Sequence, residues 1–158
     1  MRHSIKTGFS FGLASGIMTT LGLMVGLHSG THLKTAVLGG IFIIALADSF
    51  SDAMGIHIAE ESENKHSNKE IWEATISTFI FKFVVALTFA VPVLLLTLNT
   101  ALLVALGWGI LLIILLSIYL ARQQKKRPFK IIGEHLIVMV LVVALSHQVG
   151  DWIATLCK

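Results

Sequence analysis

The residues best suited to chemistry lie in one acidic run, Ala47-Asp48-Ser49-Phe50-Ser51-Asp52-Ala53-Met54-Gly55-Ile56-His57-Ile58-Ala59-Glu60-Glu61. It combines carboxylate oxygens, a thioether sulfur and an imidazole nitrogen. Oxygen ligands suit magnesium, calcium and manganese, whereas imidazole and thioether shift preference toward iron and later transition metals. Asp48, Asp52, Met54, His57, Glu60 and Glu61 are therefore the candidate metal ligands. On a helix, Asp48 and Asp52 share a face, while Met54 and His57 are rotated away from it. A complete ligand shell must borrow from other helices or from a second copy of the chain.

The setting makes this run unusual. Of 158 residues, 55% are hydrophobic and 13% charged, about half the charge of a soluble domain. Burial in lipid explains such a composition better than a water-surrounded core, and the length fits one domain. Stretches near 8–27, 35–59, 74–98, 100–121 and 131–156 are long and apolar enough to cross a bilayer. Backbone groups in lipid must be satisfied within the segment, so each is expected to be a helix. The predicted fold is an all-α membrane protein with five transmembrane helices, a polar loop over 60–73 and a basic connection over 122–130. Gly8 to Leu27 is span-length and lacks a convincing cleavage site, which argues against a cleaved signal peptide.

Lysine and arginine set the expected orientation. Arg2, Lys6, Lys65, Lys69, Arg122, Lys125, Lys126, Arg127 and Lys130 fall on one side, against Lys34 and Lys158 on the other. That bias predicts a cytoplasmic N-terminus and a C-terminus on the opposite face. The basic residues thus serve topology and anionic lipid rather than nucleic acid. Cys157 is the lone cysteine and reads as a small apolar filler.

Within these spans, ionisable residues are costly: a charged side chain near the bilayer centre costs about 2.5–3.5 kcal/mol on insertion scales and marks a functional site by default. With a rise of about 1.5 Å per residue, Asp52 lies about 10 Å below the interface, Asp48 about 16 Å and Lys82 about 12 Å. An ion pair between Lys82 and either aspartate is therefore expected. It serves either a cation path or simple helix-to-helix cohesion. The last span adds Glu134 and His135 near its start, candidates with Lys82 for proton coupling or a pathway, and His147 and Asp151, four apart on one face. Glu60, Glu61, Glu63, His66, Glu70 and Glu73 form either an electrostatic funnel or a solvated loop. His28 and His32 are a weak metal pair.

Other residues speak to packing. Gly8, Gly12 and Gly16, then Gly22, Gly26 and Gly30, form two runs at a spacing of four, offset by six. They predict a close helix interface that rotates along the helix, within the chain or across a dimer. Pro92 should kink the third span, and Trp72 and Trp152 read as interfacial anchors. No phosphate-binding Gly loop, His-Glu-x-x-His or serine elbow occurs, so no enzyme activity is expected.

Gly8-x-x-x-Gly12-Leu13, Gly26-Leu27, Ala47-Asp48-x-x-Ser51-x-Ala53-Met54-Gly55 and Pro92 together resemble the vacuolar iron transporter family. The order of five spans, with a cytoplasmic insertion between the second and third, is similar. The resemblance implies a homodimer with a path between subunits and proton-coupled export of iron or manganese from the cytosol. It implies no resident cofactor, the metal being cargo. The chain departs from the family pattern at Phe11, where the family has an aspartate, at Asp52, where it commonly has methionine, and at Ile56-His57, where it has Glu-Tyr. In place of the large cytoplasmic metal-binding domain there is only the 60–73 loop. The residues also admit a non-transporting structural or regulatory module with internal Asp–Lys pairs, or a transporter of another substrate. The expected location is a bacterial or archaeal plasma membrane or an organelle membrane, with lipid as the surrounding partner.

Overall fold

Apolar runs separated by short polar breaks fold into five long helices. The computed structural model describes residues 2–156. It contains α1 (His3–Thr31), α2 (Lys34–Ser62), α3 (Asn68–Leu95), α4 (Leu98–Gln124) and α5 (Pro128–Leu156), each long and apolar enough to cross a membrane. No strand occurs among the described residues. The chain has the build of an all-α integral membrane protein, as composition requires.

The helices run past the apolar stretches. Glu60 and Glu61 are still helical, so the connection from α2 to α3 is shorter than the predicted loop. The reason is a capping box. Ser67 accepts from the Glu70 backbone N–H, and the Glu70 carboxylate accepts from the Ser67 N–H, so α3 starts well before its apolar run. Glu70 and Glu73 thus sit on helix rather than loop. Between α3 and α4 the turn falls at Leu96 and Thr97, and Asn99 belongs to the first turn of α4.

Two helices are irregular. In α3, regular helix ends at Thr88 and resumes at Ala90. Pro92 explains the break: it lacks an N–H, and its ring crowds the carbonyl four residues back, that of Thr88. In α2, residues Ile44–Asp48 form a π-helical turn. The extra residue re-aims everything that follows by about 100°. Such insertions concentrate at functional sites.

α1 is the hub, packing against each of the other four helices. Its glycines explain how. A Cβ on Gly12 would lie 2.6 Å from the Thr78 carbonyl oxygen, and one on Gly16 would lie 3.2 Å from the Lys82 carbonyl oxygen. The first run therefore seats α3. A Cβ on Gly26 would lie 3.2 Å from the Ser146 carbonyl oxygen, and one on Gly30 would lie 3.3 Å from that of Gly150, so the second run seats α5. Both close interfaces are inside the chain, and the six-residue offset is the rotation between two partner helices. Ile17, Leu21, Met24, Phe89 and Ile113 fill the core between them.

Candidate functional site

Lys82 is wholly buried, with 0% of its side chain exposed. An ammonium in that setting requires partners, and three groups provide them. Its Nζ lies 2.5 Å from Asp48 Oδ2 and 2.5 Å from Asp52 Oδ2. It also donates to Ser15 Oγ at 3.0 Å, and Ser15 in turn donates to Asp52 Oδ2 at 2.6 Å. The contact with Asp48 is Coulombic, its geometry falling outside hydrogen-bonding angles.

Local structure assembles this group from three helices. The π-turn ends on Asp48, and Asp52 follows one regular turn later on the same face. Lys82 projects from α3 over the glycine stripe, its stem against α1: a Cβ on Gly16 would meet Lys82 Cγ at 3.3 Å. Ser15 lies beside Gly16 and can reach the pair because the two backbones are so close. Nearby, Ser49 is buried and its hydroxyl has no protein partner among the described residues.

The charges do not balance. Two carboxylates face one ammonium, leaving one formal negative charge in a lipid-spanning segment. The carboxylates are also not sealed: the side chains of Asp48 and Asp52 are 33% and 21% exposed, against none of Lys82. The open side of the group is thus the one its α2 carboxylates occupy.

The other candidates are dispersed. Met54 lies on the outward face of α2 with Phe50 and Ile58, and is 53% exposed. His57 Nδ1 bonds Thr75 Oγ1 at 3.0 Å, and its ring packs edge-on against Trp72. Glu60 faces His66 at 3.3 Å. Glu61 is exposed. Among the described residues, no three of His, Cys, Asp and Glu converge as a metal site. The sequence-derived ligand set is therefore gathered only at Asp48 and Asp52, in one copy of the chain.

α5 packs on α1 and α4. Glu134 is exposed and lies 3.9 Å from Lys130, while His135 Nδ1 bonds the buried Ser117 Oγ at 2.8 Å. Neither contacts Lys82 or its aspartates. At the other end of α5, His147 Nδ1 and Asp151 Oδ2 are 3.0 Å apart. Ser29 donates to Asp151 and, at 3.0 Å, to the His147 carbonyl, which ties this pair to α1. His28 Nε2 bonds Asn99 Oδ1 at 2.9 Å and stacks edge-on with His32.

Sequence reasoning paired Lys82 with the aspartates by depth, but it missed Ser15 and the π-turn. Ser15 was discoverable, as a polar residue adjoining a glycine stripe. The π-turn has no signature in Ile44-Ala45-Leu46-Ala47-Asp48 that we can identify.

No protein-family model, curated protein or solved structure matches this chain.

Proposed function

We propose that this protein carries a divalent transition-metal cation, iron or manganese, across its membrane, with Asp48 and Asp52 as the central ion-binding groups. The observation that carries this reading is the surplus carboxylate beside Lys82. A pair built only for cohesion needs one aspartate for one lysine. A second carboxylate in lipid is a standing cost unless something cationic uses it. Lys82 then acts as a tethered cation holding the site when cargo is absent, and cargo enters by displacing its ammonium from one or both oxygens. The similarity of the glycine and Ala47–Gly55 motifs to the vacuolar iron transporter family supports the metal, the outward direction and coupling to protons.

The partial exposure of Asp48 and Asp52 supports a homodimer, in which α2 of a second copy closes over the site. His57, Glu60 and Glu61 then line the approach, and Glu134 and His135 are secondary candidates for proton movement.

A structural module is the competing reading, favoured by the complete burial of Lys82. Transport by proteoliposomes separates the two. Uptake of iron(II) and manganese(II) is expected in the unmodified protein and at least tenfold less in Asp48→Asn and Asp52→Asn. Equal uptake in all three proteins refutes the assigned site.

A further inference from the structure

Between the end of α4 and the start of α5 lies a cleft of about 560 Å³. Lys125, Lys126, Arg127 and Lys130 line it together with Ile131, His135 and one carboxylate, Glu134, so four cations face a single acid. Orientation in a membrane requires basic residues near this face but not that they converge on a cavity. Local structure makes them converge. Lys125 adopts a left-handed conformation, φ 53°, and the Lys126 N–H closes back on the Ala121 carbonyl at 3.0 Å. Pro128 then starts α5 immediately, so the connection is held over the cleft. His135 is anchored by its bond to Ser117.

The charge is largely uncompensated. Lys125, Lys126 and Arg127 have no carboxylate within salt-bridge distance among the described residues, and Lys130 meets Glu134 only at 3.9 Å. By contrast, Arg2 is 2.5 Å from Glu73 and Lys65 is 3.8 Å from Glu63, at the connection preceding α3.

A second feature identifies the ligand. Around the same hairpin runs an apolar groove formed by Ile118, Pro128, Phe129 and Ile132, sharing Lys126 with the cleft. Phe129 is 86% exposed although it adjoins a cluster of cations. Cations above and an apolar channel alongside, at the end of two membrane-spanning helices, match a molecule with a phosphate head and acyl tails.

We propose that this cleft binds the headgroup of an anionic phospholipid, with an acyl chain along the Phe129 groove. The lipid would brace the α4–α5 hairpin, whose second helix packs chiefly on α1 and α4.

Native mass spectrometry of the purified, delipidated full chain tests this. Phosphatidylglycerol, phosphatidylcholine with identical acyl chains, and inorganic phosphate are titrated separately. Phosphatidylglycerol is expected to bind at least tenfold more tightly than phosphatidylcholine. Lys125→Gln with Arg127→Gln should weaken it about thirtyfold, on the order of fivefold per cation near the surface. Lys6→Gln with Lys65→Gln removes the same charge elsewhere on this face and should weaken it less than threefold. An equal loss in both double variants overturns the site, because general electrostatics then suffices. Equal binding of the two lipids also overturns it. Competition by inorganic phosphate at matching concentration overturns the lipid assignment in favour of a free phosphate ligand. If the double variant does not purify, Arg127→Gln alone should show the fivefold loss, and its absence refutes the proposal.

Discussion

Removing Lys82 and removing one of its aspartates should have opposite balances of stability and function. At 2.5 Å from each carboxylate oxygen, the ammonium gains about 7 kcal/mol of Coulomb attraction per contact at an effective dielectric near 20, before desolvation is subtracted. Most of that is cancelled by the loss of hydration, so the measurable quantity is the cost of orphaning a charge. Lys82→Met leaves two carboxylates facing each other in lipid with no counter-ion. Breaking a buried pair in this way costs about 3–5 kcal/mol. Asp52→Asn leaves Lys82 and Asp48 as a matched pair. The Asn carbonyl still accepts from Ser15, so the loss is that of one charge-assisted hydrogen bond, about 1.5–3 kcal/mol. Thermal or denaturant unfolding in detergent micelles reads both. Lys82→Met should be the less stable variant by about 1–2 kcal/mol, the difference between those two costs, while Asp52→Asn should still fold yet be defective in cation uptake. In the double variant Lys82→Met with Asp52→Leu, stability should recover part of the Lys82→Met loss, because one orphaned charge is gone. If Asp52→Asn destabilises as much as Lys82→Met, both carboxylates are needed for cohesion, and there is no surplus charge held for cargo.

Gly12→Ala and Gly55→Ala should differ sharply. A Cβ on Gly12 meets the Thr78 carbonyl oxygen at 2.6 Å, whereas one on Gly55 meets nothing within 4 Å. The first should cost about 1–3 kcal/mol by overpacking, and the second should be neutral or slightly stabilising by helix propensity; melting temperatures in detergent distinguish them. For the dimer, Gly55→Cys, on the face of α2 that carries Asp48 and Asp52, in a Cys157→Ser background should give an oxidant-induced cross-linked species on a denaturing gel. Leu103→Cys, 71% exposed on α4, should not, and equal cross-linking at both positions refutes α2 as the interface.

The spans were legible because lipid imposes a requirement that every residue in a twenty-residue window helps to meet. Helix ends were less so, since the Ser67–Glu70 box extends α3 by side-chain hydrogen bonds that a hydropathy pattern does not register. The pairing of Lys82 with the aspartates was legible from rise per residue alone, because sequential antiparallel helices place equal depths side by side. The choice of partner helices for the two glycine runs was not. Spacing says that a backbone comes close, but it carries no label for α3 or α5. Likewise the residue types of Met54 and His57 suggested ligands, but helical spacing already turns both away from the Asp48–Asp52 face, and packing leaves the first exposed and holds the second on Thr75.

The glycine stripe and the charged group are one device rather than two. Gly16 has no side chain, so the stem of Lys82 can lie along α1, and the adjacent Ser15 can bridge Lys82 to Asp52. A larger residue at position 16 meets Val85 Cγ1 first, at 2.5 Å, and then the Lys82 carbonyl oxygen and Cγ at 3.2 and 3.3 Å, so it presses on the α3 backbone and on that stem together. The separation of α1 from α3 therefore sets how far the ammonium reaches toward α2. If cargo displaces the lysine as proposed, the long flexible stem accommodates it rather than the backbone, which the glycines hold in contact. The π-turn gives α2 the complementary freedom. A π-turn lengthens the hydrogen-bonded ring by one residue and can be relieved by a single-residue shift. On the proposed function, the Lys82 stem and the aspartate-bearing helix are the parts expected to give way, against the α1 and α3 backbones that the glycines hold together.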